Sequence, residues 1–241
     1  MKIILIDIGN SSYCKLAVSD GMSIKGVRRV LRQTLLSETE ALLQGDGQAD
    51  IVCLCSVAER EPSLELELGR LSRRFIRLDS FTPMPLVIDY ATPETLGADR
   101  IAAAVGAASL FPGESCVIFD FGTALTIDFL TADGRFAGGN ISPGLSMRFN
   151  AIHRFTDRLP LVQPSYPSGM SGRSTMDAIN TGVVSGIMFE VEKYIELNPG
   201  SRIVFTGGDS LFFAKKMKSS IFVAYNLVLR GLLEIAQYNN V

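Results

Sequence analysis

The sequence predicts an α/β protein built from two similar halves, and two observations lead to this prediction. An apolar strand pattern that ends in Asp-x-Gly occurs twice, at Asp7-Ile8-Gly9 and at Asp120-Phe121-Gly122, nearly half the chain apart. Strand patterns alternate with helix patterns along all 241 residues, a length that suits two modest cores. A duplicated lobe accounts for both observations and divides the chain into residues 1–114 and 115–241.

The first half is bounded by clear local signals. A polar turn at residues 9–12 separates the first two strands. Ser37 followed by Glu40 has the spacing of a capping box, which predicts a short helix that stops near Gly45. The three prolines from Ser80 to Pro93 predict a long ordered loop. Strands are expected at residues 2–8, around 16–18 and at 50–57, and helices at 64–75 and 101–110.

The second half repeats the strand, turn, strand pattern. Strands are expected at residues 116–120 and 125–131, and an Asp133-Gly134 turn leads into a third strand. Another strand ends in Thr206-Gly207-Gly208, and residues 223–238 have a helical pattern.

Composition favours an ordinary globular protein with a small ligand. Hydrophobic residues make up 47% of the chain and charged residues 20%. The formal net charge of −2 does not supply the positive field that nucleic-acid binding needs. The apolar run at the N-terminus is interrupted by Asp7 and Gly9 before it reaches the length of a secretory core or a membrane span. We therefore expect a cytoplasmic protein whose partners include neither nucleic acid nor a membrane.

Cysteine and histidine usage narrows the chemistry. All four cysteines lie in apolar, strand-like segments, and Cys53 and Cys55 share one face of a strand, so buried free thiols are expected. His153 is the only histidine, which excludes a His-rich zinc site and leaves little room for a Ser-His-Asp triad. We expect His153 at the surface or at an interface.

The two Asp-x-Gly turns are candidate phosphate sites. Glycine removes the side chain that would block an anion, so Gly9 and Gly122 leave backbone N–H groups exposed to a phosphate chain. The preceding carboxylates, Asp7 and Asp120, are suited to a cation that bridges phosphates. Either turn alone is equally consistent with a plain β-turn, but two copies favour a nucleotide site. Thr206-Gly207-Gly208 is either a third turn or a contact to the adenosine.

Gly97-Ala98-Asp99-Arg100 places an acid beside a base at the start of a helix. Taken alone, the pair is better explained by N-terminal helix capping and a solvated arginine. The alternative is catalytic: Asp99 orients a hydroxyl and accepts its proton, and Arg100 holds an anionic substrate. Two further segments stay open, because residues 138–144 either line a site or form a corner, and Ser174-Thr175 is a helix cap, a substrate contact, or both.

Taken together, these motifs resemble the type III pantothenate kinases along nearly the whole chain. The matching segments are Asp7–Lys15, Gly97–Arg100, Asp120–Asp128, Gly138–Gly144 and Ser174–Gly182. The resemblance implies two ribonuclease-H-like, actin-like lobes, each a mixed β-sheet flanked by helices, and a homodimer. It also implies transfer of the ATP γ-phosphoryl group to the primary hydroxyl of pantothenate, which yields 4′-phosphopantothenate in the first step of coenzyme A biosynthesis.

The resemblance also implies roles for individual residues. Asp99 is the proton acceptor, and Asp120 holds a monovalent cation, potassium or ammonium, that acts beside Mg²⁺. Ser11 stands where the family usually has Thr, which keeps a hydroxyl in the turn. Pantothenate is contacted by Tyr90, Gly97, Ala98, Asp99, Arg100 and Thr175. ATP is bound by Asp7, Ile8, Gly9, Asn10, Ser11, Ser12, Tyr13, Cys14, Lys15 and Thr123.

Three alternatives remain at this stage. A phosphohydrolase of the same superfamily would use water in place of pantothenate. Some relatives of these kinases have been named as accessory regulators of transcription, although the intact Asp7, Asp99 and Asp120 argue against a purely regulatory role. A ribonuclease-H-like nuclease shares the lobe topology, but it should carry a basic groove, for which the sequence gives no sign.

Overall fold

The computed structural model describes residues 1–43, 45 and 47–240 as alternating strands and helices. In chain order, the first elements are β1 (Ile3–Ile8), β2 (Tyr13–Ser19), β3 (Ile24–Leu31), α1 (Leu35–Leu43), β4 (Ala49–Ser56), α2 (Pro62–Arg70), β5 (Ser72–Arg77), β6 (Val87–Ile88) and α3 (Ala98–Leu110). They are followed by β7 (Cys116–Phe121), β8 (Ala124–Leu130), β9 (Arg135–Pro143), α4 (Leu145–Arg154), α5 (Thr175–Leu197), β10 (Arg202–Thr206), α6 (Ser210–Ala214), β11 (Ile221–Val223) and α7 (Leu227–Tyr238).

The chain forms two compact units. The first contains Met1–Glu114, Leu130–Gly138 and Asn226–Val241, and the second contains Ser115–Phe129 and Gly139–Tyr225. Two segments that follow residue 114 in the chain, Leu130–Gly138 and Asn226–Val241, group with the first unit.

The first unit is built on a five-stranded mixed sheet in the order β3-β2-β1-β4-β5. β1 is antiparallel to β2, because a four-residue turn joins them, and parallel to β4, which the chain reaches through α1. One face of β1 buries Ile4, Ile6 and Ile8 in a core that includes Leu35 of α1 and Leu68 of α2. The opposite face is covered by α3 and α7.

Helices α3 and α7 pack unusually close to each other. A Cβ atom at Gly231 would lie 1.8 Å from the Ala102 carbonyl oxygen, and one at Gly106 would lie 2.4 Å from the Leu227 carbonyl oxygen. Ala102, Ala103 and Ala104 of α3 are buried. Small residues on both helices therefore let their backbones touch, which fixes α3 on the sheet.

The second unit contains a sheet in the order β11-β10-β7-β8-β9, in which β10 is parallel to both β7 and β11. A two-residue turn joins β7 to β8, so this pair is antiparallel and the sheet is mixed. Its core contains an aromatic cluster in which the Phe121 ring lies 4.8 Å from Phe205 and 4.9 Å from Phe213, centroid to centroid. Within the first unit, the start of β9 pairs with β6.

The predicted fold class is confirmed: the protein is α/β, with two mixed sheets flanked by helices. The repeated motif is also visible in the structure. β1 and β7 share the same burial pattern along six residues, and each carries its aspartate, Asp7 or Asp120, at the fifth position. The four cysteines are free and buried, and His153 is exposed, as the sequence predicts.

Two predictions of local structure were wrong. Ser37 does not cap α1, because the helix begins at the fully buried Leu35 and Ser37 lies within its first turn. The Ser37 hydroxyl instead donates to the Thr34 carbonyl oxygen at 3.0 Å. The helix predicted at residues 64–75 ends at Arg70. Residues from Ser72 onward form β5 because they pair with β4 in parallel and bury Ile76.

Smaller differences concern the predicted loop and the tail. The loop from residue 80 to 93 includes the short strand β6, and the final helix begins at Leu227 rather than at Val223, which ends β11. Among the described residues, no helix is long and apolar enough to span a membrane.

The contact between α3 and α7 predicts a large cost for any side chain at Gly231. We expect Gly231→Ala to lower the free energy of unfolding by about 3 kcal/mol, because the methyl group overlaps the Ala102 backbone. Gly182→Ala is the matched control, since nothing lies within 4 Å of its Cβ position in α5, and it should raise stability by about 0.5–1 kcal/mol. Urea denaturation measures both changes, and equal effects would contradict the close packing.

Candidate active site

The turn between β1 and β2 exposes its backbone in the first unit. No atom lies within 4 Å of the position that a Cβ at Gly9 would occupy. The Ser11 hydroxyl donates to the Tyr13 carbonyl oxygen at 2.9 Å and accepts from the Tyr13 N–H at 3.2 Å, which closes the turn onto β2. A phosphate can therefore approach the Gly9 backbone without meeting a side chain.

Strand register decides which neighbours of this turn face the candidate site. Asp7 lies opposite Lys15 on β2 and opposite Cys55 on β4, and residues paired in this way point to the same face of the sheet. That face is the one covered by α3 and α7. Ile8 and Cys14 point into the opposite core and are almost fully buried. These two predicted nucleotide-binding residues can offer only their backbone atoms.

Asp7 and Asp99 form a pair of desolvated carboxylates. Burial raises the pKa of Asp7 to about 6; Lys15 lowers it, and the charge of Asp99 raises it further. Burial also raises the pKa of Asp99, against the opposing effects of the Arg100 N–H and the Arg100 charge. Two carboxylates that are held in mutual range and out of water favour the binding of a cation or a proton.

Gly97 and the start of α3 fix the position of Asp99. The Arg100 N–H donates to Asp99 Oδ1 at 2.8 Å, so the carboxylate folds back over the first turn of the helix. A Cβ atom at Gly97, the N-cap, would lie 2.6 Å from the same oxygen. Glycine is therefore required at residue 97 for Asp99 to adopt this conformation.

Arg100 lies in an aromatic cradle in the same unit. Its side chain is 5% exposed, and its Cζ atom lies 5.8 Å from the Tyr90 ring centroid and 5.5 Å from that of Phe136. The two rings meet edge to face, with centroids 6.0 Å apart. Pairing of Ile88 with Phe136 in β6 and β9 brings the rings together. A buried guanidinium oriented by two rings suits a ligand carboxylate.

Sequence reasoning missed Phe136, because a phenylalanine within an apolar strand carries no sign of a role beside a site. Gly138 is more informative: it has φ +93°, and a Cβ there would meet the Tyr90 ring at 3.9 Å. Residues 138–143 belong to β9 and Gly144 is the N-cap of α4, and the first glycine of the segment lies against Tyr90.

The second unit brings three glycine-containing segments to Asp120. Gly207 has φ +88°, and a Cβ there would lie 2.4 Å from Asp120 Oδ1. Gly144 donates its N–H to the Thr123 carbonyl oxygen at 3.1 Å, and a Cβ there would lie 2.4 Å from the Gly122 carbonyl oxygen. Gly207, predicted to be in a turn or an adenosine contact, thus lies beside the second Asp-x-Gly motif. A carboxylate beside two glycines, where no side chain blocks approach, suits a small cation.

A polar network holds the end of β9 in place next to Gly144. Arg148 forms an ion pair with Glu190 and donates from Nε to the Pro143 carbonyl oxygen at 2.8 Å. The Ser142 hydroxyl donates to Glu190 Oε1 at 2.7 Å. α4 and α5 therefore both anchor the end of β9, directly before Gly144.

The sequence left two roles open for Ser174 and Thr175, a helix cap and a substrate contact. The Ser174 hydroxyl accepts from the Asp177 N–H at 3.2 Å and caps α5. Thr175, the first residue of that helix, has an exposed side chain. Of the residues to which the resemblance gives a role, Asp120, Thr123 and Thr175 lie in the second unit and the others lie in the first.

Comparison with known proteins assigns a family to this arrangement. A family model described as "Type III pantothenate kinase" matches residues 3–197. The type III pantothenate kinase of Bacteroides fragilis is 40% identical over 241 residues and that of Phocaeicola vulgatus is 41% identical over 246, and each alignment covers 98% of both chains.

Solved structures show the same fold at lower identity. A putative Baf family transcriptional activator from Campylobacter jejuni is 25% identical with a TM-score of 0.66, and 98% of each chain is covered. MreB5 of Spiroplasma citri bound to ADP is 13% identical with a TM-score of 0.52 and covers 95% of this chain and 94% of its own. The fold is thus actin-like.

Desolvation of Asp7 predicts a pH-dependent stability of the ligand-free protein. Its pKa rises on folding from 3.8 to about 6, so the folded chain binds more protons between these values and stability falls as the pH rises through them. We expect Asp7→Asn to remove this loss. The variant should match the wild type near pH 3.5 and exceed it by about 3 kcal/mol above pH 6.5.

Denaturation at a series of pH values measures this difference. The control is Asp133→Asn, because hydrogen bonds from Thr131 and Arg135 lower the pKa of this exposed carboxyl and reverse the sign of its contribution. An Asp7→Asn curve parallel to that of the wild type would show that the Asp7 carboxylate is not desolvated.

Proposed function

Because the chain belongs to the type III pantothenate kinase family, we propose that it transfers the γ-phosphoryl group of ATP to the primary hydroxyl of pantothenate. The products are 4′-phosphopantothenate and ADP, and the reaction is the first step of coenzyme A biosynthesis, in the cytoplasm. One observation of the structure carries the proposal. The first unit holds the desolvated carboxylate Asp99 next to Arg100 and within electrostatic range of Asp7, beside an open glycine turn.

Asp99 is the proposed proton acceptor. As the pantothenate oxygen forms its bond to the γ-phosphorus, the hydroxyl proton passes to an Asp99 carboxylate oxygen and ADP departs. Burial raises the pKa of Asp99, which makes the carboxylate a better base. Phosphoryl transfer has a loose transition state, so the position of the hydroxyl matters more than the strength of the base. The hydrogen bond from the Arg100 N–H holds the Asp99 carboxylate in place, and the carboxylate in turn positions the hydroxyl.

Backbone N–H groups of the turn at residues 9–12 and the Lys15 ammonium are proposed to bind the phosphates, with Thr123 as a further contact. Lys15 is suited to this role because it lies opposite Asp7 on the site face of the sheet. A bound Mg²⁺ would be held by the phosphates with Asp7 or Asp120, and would neutralise charge on the transferred group. The monovalent cation is assigned to Asp120, whose carboxylate lies among the backbone groups of Gly122 and Gly207.

Arg100 is proposed to bind the pantothenate carboxylate. The Tyr90 and Phe136 rings orient its guanidinium, which matches a carboxylate with two parallel hydrogen bonds. Tyr90, Gly97, Ala98 and Thr175 are the remaining proposed contacts. This assignment separates the anionic end of the substrate, at Arg100, from its reacting hydroxyl, at Asp99.

We expect Asp99→Asn to lower kcat by about 100- to 10,000-fold while changing the Kd for ATP by no more than about twofold. The measurement is a coupled assay of ADP release with Mg-ATP, with and without pantothenate, in potassium, ammonium or sodium. Asp133→Asn is the control, because Asp133 is exposed in a turn and should leave the rate unchanged.

The same assay separates the alternatives. Equal losses of turnover and ATP binding in Asp99→Asn would contradict its role as a proton acceptor. ADP release that ignores pantothenate would indicate a phosphohydrolase instead. Equal rates in sodium and potassium would contradict the assignment of a monovalent cation site to Asp120.

We also propose that the protein is a homodimer, on the analogy of the family. The second unit supports this with exposed apolar side chains on β9, α4 and α5: Ile141 is 64% exposed, Met147 42% and Phe189 51%. Light scattering should give twice the 26.1 kDa mass of one chain. Phe189→Glu should shift the mass toward one chain, and a monomeric wild type at micromolar concentration would contradict the proposal.

A further inference from the structure

A row of charged residues crosses the first sheet beside the candidate phosphate turn. Asp7 on β1 lies opposite Lys15 on β2, and Lys15 lies opposite Arg29 on β3. Directly paired residues share a face, so all three side chains lie on the face that α3 and α7 cover elsewhere. Neighbouring strands are about 4.8 Å apart, which puts each side chain within reach of the next.

The adjacent residue Arg28 has the opposite orientation. It lies opposite Leu16, whose side chain is buried in the core with α1, and its Nη1 atom is 3.5 Å from Glu38 Oε2 on that helix. In the part of the chain that the structure describes, Arg29 forms no such ion pair. Its guanidinium instead lies over the Tyr13 ring, with Cζ 4.3 Å from the centroid.

Tyr13 directs Arg29 toward the turn. It is the first residue of β2, directly after the turn at residues 9–12, and it points to the same face as Lys15 two residues later. A ring beneath the guanidinium restricts the arginine without supplying a counter-charge. The entropy cost of ordering a long side chain on binding is reduced accordingly. The guanidinium edge remains available for hydrogen bonds to phosphate oxygens.

We propose that Arg29, held by Tyr13, binds the phosphate chain of the nucleotide together with Lys15. This inference rests on the proposed function and adds a residue to its nucleotide side. The charge balance favours it, because Asp7 and Asp99 place two carboxylates close to a strongly anionic triphosphate. The positive charge of Arg29, one strand beyond Lys15, offsets the repulsion between these carboxylates and the triphosphate.

Arg29→Gln tests the proposal. We expect the KM for ATP to rise about fivefold, as for loss of one charge-assisted hydrogen bond at an exposed position, with kcat and the KM for pantothenate within about twofold of the wild type. Arg28→Gln is the matched control, since it makes the same change one residue away on the opposite face and should leave the KM for ATP unchanged. Arg29→Lys should recover part of the affinity. Thermal melts confirm that each variant is folded.

Salt dependence provides a second readout. At fixed potassium, added tetramethylammonium chloride should raise the KM for ATP less steeply in Arg29→Gln than in the wild type, because one screened charge contact is absent. Equal KM values for ATP in Arg29→Gln and the wild type would overturn the proposal, as would a loss confined to the KM for pantothenate. Equal losses in Arg28→Gln would indicate a general effect of net charge and overturn it too.

Direct titration with Mg-ATP, followed by calorimetry, distinguishes this inference from the proposed function. If the protein binds ATP but does not phosphorylate pantothenate, a weaker Kd in Arg29→Gln still supports the phosphate contact while the proposed function fails. If pantothenate is phosphorylated and the Kd for ATP is the same in both proteins, the proposed function stands and the role of Arg29 is rejected.

Discussion

The register of β1 against β2 and β4 is the constraint on which the first unit depends. Strand side chains alternate between faces, so a slip of one residue would move Asp7 into the apolar core and expose Ile8. Burial of Ile4, Ile6 and Ile8 opposes that slip because all three would lose their core contacts together. The same apolar contacts that stabilise the sheet therefore place Asp7, Lys15 and Arg29 on one face.

Close packing of α3 against α7 adds the second part of the site. Gly106 and Gly231 let α3 pack backbone to backbone against α7, and this packing holds the N-terminus of α3 and Asp99 in position. Holding both carboxylates out of water costs free energy, and this cost appears as a pKa that burial raises for Asp7 and for Asp99. A desolvated pair destabilises the ligand-free fold and favours any cation that neutralises it, which is why such pairs concentrate at functional sites.

Local sequence patterns predicted those elements whose structure depends on neighbouring residues alone. The strands ending in Asp7 and Asp120 are apolar runs followed by an obligatory turn, and the sequence located both. Residues Ser72 to Phe75 were predicted as helix because their only local signal continued a helical period, whereas pairing with β4 decides their structure. The approach of Gly207 to Asp120 and of Phe136 to Arg100 joins residues far apart in sequence, and no signal within either segment encodes it.

Four arginines of the described residues are held in two ways, and the difference follows from charge. Arg148 of α4 pairs with Glu190 of α5, and Arg230 pairs with Glu234 within α7; each pair neutralises the guanidinium. Arg29 and Arg100 are instead placed against aromatic rings, Tyr13 for one and Tyr90 with Phe136 for the other. A ring orients a guanidinium without neutralising its charge. Both ring-held arginines lie in the first unit with Asp7 and Asp99, one suited to phosphate and one to carboxylate, as a kinase with an anionic acceptor requires.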